Sequence, residues 1–160
     1  MKLLVFSDSH GYADNILRAI EKEKPALCFF LGDGADDLKK LAQRFPDLPV
    51  QAVRGNCDLR AALPKMLVCA VGGVKIFAAH GHLYNVKYDP RLHELCSAAE
   101  KAGAQIALFG HTHEAFHDRI GGVEVLNPGT VGRVSRPGYG VIDISEGAVT
   151  LSLHYLKPED

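Results

Sequence analysis

Five short apolar runs in this chain each stop at carboxylate, imidazole or carboxamide side chains, usually beside a glycine. Leu3 to Phe6 runs into Ser7, Asp8, Ser9 and His10, and Leu27 to Leu31 into Gly32 and Asp33. Val50 to Val53 runs into Arg54, Gly55, Asn56, Cys57 and Asp58. Val74 to Ala79 ends at His80-Gly81-His82, and Ile106 to Phe109 ends at Gly110-His111-Thr112-His113. Runs of this length read as buried strands. In α/β folds the residues just past the carboxyl ends of strands face one shared crevice. A fold that buries these five runs side by side therefore brings their polar ends to one place.

The seven donors Asp8, His10, Asp33, Asn56, His80, His111 and His113 comprise four imidazoles, two carboxylates and one carboxamide. A mixed nitrogen and oxygen set without a thiolate suits Mn, Fe, Ni, Co or Zn better than Mg or Ca, which prefer all-oxygen shells. Glycine precedes Asp33, Asn56 and His111 and follows His10 and His80, as close backbone approach requires. Each fragment alone is weak evidence, since a lone Gly-Asp or Gly-Asn is usually a turn. Their joint occurrence after five apolar runs points to a two-metal centre.

Composition bounds the rest. A chain of 160 residues is expected to be a single domain, 1–160, and is long enough to bury a substantial core. A formal net charge of -1 gives no large nucleic-acid footprint. No run approaches the ~18 apolar residues of a membrane helix, and the first apolar stretch is too short for a signal peptide. Cys28, Cys57, Cys69 and Cys96 lie far apart, with no C-x-x-C, which fits a reducing cytoplasm.

Along the chain, Ile16, Leu17 and Ile20 predict an amphipathic helix stopped at Lys24 by Pro25. A second helix is expected near Ala35 to Arg44, with Leu38 and Leu41 inward and Asp36-Asp37 as acids favourable to its N-terminus. This β-α-β-α-β opening implies parallel strands with right-handed crossovers. Met66 to Val71 with Val74 to Ala79, and Phe116 to Ile120 with Val123 to Leu126, predict hairpins turning on Gly72-Gly73 and Gly121-Gly122. A helix over about Pro90 to Ala102 lies between them, ended by Gly103. Tyr139 to Ile144 and Val149 to Tyr155 predict two last strands, turning at Ser145-Glu146-Gly147. His93, His117 and His154 read as ordinary paired or surface residues.

Asp8-Ser9-His10, Gly32-Asp33, Gly55-Asn56-Cys57-Asp58, His80 and Gly110-His111-Thr112-His113 together resemble the five blocks of the calcineurin-like metallophosphoesterases, in family order. The short length, the Gly-Asn-Cys-Asp block, His80-Gly81-His82 and Asn127-Pro128-Gly129 resemble the small YfcE-like phosphodiesterase branch, whose fold the retromer sorting subunit shares. The resemblance implies a four-layer α/β/β/α sandwich of two mixed sheets flanked by helices. It also implies two divalent ions, Mn first and Ni, Fe, Co or Zn as alternatives. In that pattern Asp8, His10 and His113 hold one ion, Asn56, His80 and His111 the other, and Asp33 bridges them. A hydroxide held between the ions would hydrolyse a small phosphoester.

His82 and Asp58 complete the candidate catalytic set, His82 toward the substrate phosphate or in support of His80, and Asp58 by orienting a ligand. Cys57, His82 and Asn127 are the candidate substrate-binding residues, Asn127 in a loop at the crevice wall. Arg133 and Arg136 read as a solvated loop. The expected partner is a small phosphoester, with no membrane and with homo-oligomer formation left open. A phosphodiesterase is favoured; the alternatives are an interaction scaffold of the retromer-subunit type and a phosphomonoesterase.

Many phosphatases of the wider family carry His after Gly-Asn, where it can protonate the leaving oxygen; this chain has Cys57, which disfavours poor leaving groups. Cys57→His is accordingly expected to raise turnover of p-nitrophenyl phosphate relative to its bis-p-nitrophenyl diester. An unchanged monoester-to-diester ratio in steady-state assays counts against a leaving-group role at this position.

Overall fold

The computed structural model describes residues 1–158. Its elements run β1 Lys2–Phe6, α1 Asp14–Glu23, β2 Leu27–Phe30, α2 Asp37–Arg44, β3 Val50–Ala52, β4 Met66–Val71 and β5 Val74–Ala79. They continue with α3 His93–Lys101, β6 Ile106–Leu108, β7 Ala115–Ile120, β8 Val123–Pro128, β9 Gly138–Ser145 and β10 Ala148–Tyr155. A single 3-10 turn at His82–Tyr84, not anticipated from the sequence, follows β5.

The strands form two five-stranded mixed sheets, ordered β10-β9-β1-β2-β3 and β4-β5-β6-β8-β7. In the first, β1, β2 and β3 are parallel, β9 runs antiparallel to β1, and β10, antiparallel to β9, forms the edge. In the second, β5, β6 and β8 are parallel and β4 and β7 are antiparallel edges. All three hairpins turn through two residues, as the pairs Val71 with Val74, Ile120 with Val123, and Ser145 with Ala148 require. At the β4–β5 turn both Gly72 and Gly73 have positive φ, 57° and 80°, the geometry that matches strand twist and that a β-carbon resists.

Period-two alternation sorts the core into three layers of contact. Leu3, Val5, Phe29 and Leu31 face Ile76, Ala78, Ile106 and Leu108 between the sheets. Leu4, Phe6, Cys28 and Phe30 point the other way, onto Ile16, Ala19 and Ile20 of α1 and Leu41 of α2. Phe77, Ala107 and Val125 meet Leu95, Cys96 and Ala99 of α3. The fold is the expected four-layer α/β/β/α sandwich.

The local stops have specific causes. Lys24 adopts φ 49° and its N–H donates to the Ile20 carbonyl, ending α1 one residue before Pro25. The third helix starts at His93, later than its apolar spacing suggests. Asp89 takes the N–H groups of Arg91 and His93 at 3.1 and 2.8 Å, and buried Leu92 sits at φ 55° before the helix begins. Among the remaining histidines, His93 pairs with Asp89 and His117 with Glu124, both at 3.1 Å, and His154 meets Ser152 Oγ at 2.8 Å.

Phe29, fully buried between the sheets, tests the core. Phe29→Ala is expected to cost about 3–5 kcal/mol through lost transfer energy and a residual cavity. For a domain of this size that lowers the melting temperature by roughly 10 °C or more, measurable by calorimetry.

Candidate metal centre

The carboxyl ends of β1, β2, β3, β5 and β6 open onto one crevice between the two sheets. Their loops are tied together by backbone hydrogen bonds. Asp8 N–H donates to Gly32 O at 2.9 Å, His10 N–H to Asp33 O at 3.0 Å, and Gly110 N–H to His80 O at 2.8 Å. Close approach leaves no room for side chains at two glycines. A β-carbon on Gly110 would collide with Ser7 Oγ and crowd Asp8, and one on Gly55 would collide with Asp33 Oδ1.

Six of the seven expected donors gather in two adjacent groups, linked through His10 and Asp33. Asp8, His10 and His113 lie together, with Asp8 Oδ1 at 3.1 Å from His113 Nε2 and 3.5 Å from His10 Nε2. Asp33, His80 and His111 form the second group, with His80 Nε2 at 3.3 Å from Asp33 Oδ2 and 3.2 Å from His111 Nδ1. Asp33 also lies within ligand range of His10 and Cys57, so it touches both groups. The seventh donor, Asn56, is exposed beside them, its amide 3.5 Å from Cys57 Sγ. Five of these residues, Asp8, His10, Asp33, His111 and His113, have φ between 46° and 69°. That left-handed conformation costs roughly 1–2 kcal/mol per residue for a side chain with a β-carbon.

The charges at the centre are arranged for a cation. Asp8 is fully buried, and its Oδ2 accepts from Ser7 Oγ at 2.6 Å and His111 N–H at 3.1 Å. Its Oδ1 has no hydrogen-bond partner, yet faces imidazole nitrogens on three sides. An orphaned buried oxygen costs about 1–3 kcal/mol or more when charged, and a divalent ion placed there would satisfy it.

The buried His80 ring is fixed by its Nδ1, 2.7 Å from the Leu31 carbonyl. Since a carbonyl only accepts, Nδ1 carries the proton and Nε2 faces the acids. Burial pushes the His80 pKa down, but Asp33, Asp8 and the Leu31 carbonyl more than reverse this and raise it. Burial, with the neighbouring His80 charge, lowers His111 to about 4. Asp33 is pulled well below the usual carboxylate range, burial being outweighed by His80 and the Cys57 N–H, 2.8 Å from its Oδ1. A proton on His80 Nε2 and a metal ion would compete for the same lone pair.

Around the donors lie residues that hold loops. Asp58 accepts four backbone N–H groups, from Asp33 at 2.7 Å, Gly34 at 3.0 Å, Ala35 at 2.9 Å and Gly55 at 2.8 Å. It holds the backbone of Asp33, the place that the expected orienting role requires, with its carboxylate spent on amides. Asn127 departs from the substrate-wall expectation. It is fully buried, donates to Gly110 O at 3.0 Å and Thr112 Oγ1 at 2.9 Å, and accepts from Gly129 N–H at 2.9 Å. Every polar atom is occupied, so Asn127 clamps the His111 loop.

Asp37 opens α2 as expected and does more. Its buried carboxylate takes Ser9 Oγ at 2.5 Å and Gly11 N–H at 3.0 Å, bracing the His10 loop. Ser7, Ser9 and Thr130, whose Oγ1 donates to Asp8 O at 2.7 Å, were not legible in sequence. His82 packs its ring 5.4 Å from His80 and 6.1 Å from His111. Burial and the nearby His80 charge lower its pKa, keeping it neutral. Cys57 is exposed, and partial burial with the Asp33 carboxylate raises its thiol pKa. Arg133 and Arg136 lie over the rings of Tyr12 and Tyr155.

Burial alone would raise the Asp58 pKa, but its four amide donors hold it below the ordinary aspartate value of 3.8. The stability it contributes is therefore fully present above that value and is lost as pH falls through the lower folded value. Asp58→Asn removes the charge and leaves amides unpaired, at a cost of about 3 kcal/mol. Its melting temperature should lie roughly 6–12 °C below wild type at neutral pH, with the gap narrowing as pH falls below about 4.

Comparison with known proteins follows the geometry. The family model described as the calcineurin-like phosphoesterase superfamily domain matches residues 1–147. The probable metallophosphoesterase YsnB of Bacillus subtilis is 30% identical over 158 residues, covering 96% of this chain and 90% of that protein. The phosphodiesterase YfcE of Escherichia coli is 26% identical over 172 residues, covering 89% of this chain and 88% of its own. A predicted phosphoesterase of Streptococcus pneumoniae superposes with a TM-score of 0.80 at 26% identity, over 96% of this chain and 88% of that one. Vps29 of Entamoeba histolytica, solved with Zn2+, has a TM-score of 0.73 at 21% identity over 97% of this chain and 99% of its own, a likeness of fold alone. With its five polar strand ends gathered in one crevice and the family pattern running through nearly its whole length, the chain belongs to the calcineurin-like phosphoesterase superfamily.

Proposed function

We propose that the chain, acting as one domain, is a cytoplasmic phosphodiesterase that uses two divalent cations, Mn first, to hydrolyse a small phosphoester. Asp8, His10 and His113 would hold one ion, and the Asn56 carbonyl with His80 and His111 the other. Asp33 would serve both. The observation that carries this reading is Asp33, grouped with His80 and His111 and also within ligand range of His10 from the other group, beside an Asp8 oxygen without a hydrogen bond.

Two divalent ions, when bound, neutralise charge on a phosphoryl group and acidify water near it. The protein's part is geometry. The Leu31 carbonyl sets the His80 tautomer, Asp58 fixes the Asp33 backbone, and Ser7 with the His111 N–H orients Asp8. His82, neutral and packed on two imidazoles, supports His80 and His111. Cys57 stays a thiol at neutral pH and is a poor acid for a leaving alkoxide, which favours diesters and activated esters.

Fold does not separate this reading from a scaffold, since Vps29 shares it. The complete donor set favours hydrolysis. No helix among the described residues is long and apolar enough to cross a membrane.

Stripping the protein with EDTA is expected to abolish hydrolysis of bis-p-nitrophenyl phosphate, and Mn2+ or Ni2+ to restore it. Asp33→Asn should lose both ions and at least ~100-fold of turnover, whereas His80→Ala should mainly empty one site, counted by elemental analysis. Two retained ions in Asp33→Asn would break the bridging assignment. Metal-loaded protein that turns over neither ester would move the reading to an interaction scaffold.

A further inference from the structure

A cavity of about 590 Å³ opens beside the metal centre between the segment after the 3-10 turn and the start of β7. That volume lies within the range of small-molecule sites, about 300–1,000 Å³. It is contiguous with the donors. Thr112, on its wall, stands between His111 and His113, and Val86, also on its wall, lies against Gly81 between His80 and His82.

Its chemistry is distinctive. Phe109 and Phe116 meet edge to face, with centroids 6.2 Å apart at 61°, and form an aromatic floor. Tyr88, 85% exposed, lines the same space. Lys87 and Glu114 supply one cation and one anion at the lining. Flat aromatic faces with a polar fringe suit a planar heterocycle with donors and acceptors on its edge. A lipid chain would be better served by a wall without charge.

We propose that this cavity seats the nucleobase of a nucleotide-derived phosphoester, by stacking against Tyr88 and Phe116, while the phosphate occupies the metal crevice. The proposal rests on the phosphodiesterase reading for the phosphate and on the cavity alone for the base.

Calorimetric titration of the metal-loaded protein with adenosine 5′-monophosphate and with ribose 5-phosphate separates the two. Base–aromatic stacking predicts that the nucleotide binds about tenfold tighter or more. Tyr88→Ala, at an exposed position that the core does not need, and Phe116→Ala should each bring the nucleotide most of the way down to ribose 5-phosphate. Equal affinities in wild type would overturn the proposal, as would a nucleotide preference that survives both substitutions. A preference that depends on Tyr88, in protein that fails to hydrolyse bis-p-nitrophenyl phosphate, would support the cavity and overturn only the esterase reading.

Discussion

One buried carboxylate joins the two halves of this molecule. Asp8 leaves the end of β1 in the first sheet, yet its Oδ2 is held by the backbone N–H of His111 from the second. Its Oδ1 faces histidines from β5, from the loop after β6 and from its own loop. With one oxygen satisfied by the protein and the other not, Asp8 is half of a coordination site. The surrounding loops exist to keep it so. Ser7, Thr130 and the tight space over Gly110 fix its position.

Strain is concentrated in the same place. Nine residues other than glycine among those described have positive φ, and five of them are proposed ligands. Such conformations persist only where the surroundings over-determine them. Here the surroundings are the Asp58 cradle under Asp33, the Asp37 brace under Ser9 and Gly11, and the Asn127 clamp on the His111 loop. Three polar side chains that touch no proposed ion therefore decide where the ligands point.

The sequence revealed strand ends and ligand types well, because both are local. Apolar runs have a length, and glycine, aspartate and histidine after them have a chemistry. The four-layer order came from the family resemblance, since periodicity in runs such as Leu3 to Phe6 shows only a mixed α/β domain. What stayed hidden depended on contacts between distant segments. Asn127 and Thr112 are 15 positions apart, Ser9 and Asp37 28, and Asp8 and Thr130 122. Nothing in Asn127-Pro128-Gly129 tells a buried clamp from an exposed wall, and Asp37 looks like any acid opening a helix. The late start of α3 was missed for the same kind of reason, since Asp89 captures two N–H groups that periodicity assigns to a helix already under way.

The span between Asp8 and His111, 103 positions, has a kinetic consequence. Closing so long a loop delays the contact until the two sheets have found each other. An ion held across that seam would strengthen an interaction formed late, after the folding barrier. Stabilisation of that kind acts mainly on the rate of unfolding and little on the rate of folding. With an ion bound, the seam would work as a latch: the metal-free chain would close as quickly as the loaded one but open sooner, and its lifetime in the folded state would follow the supply of metal.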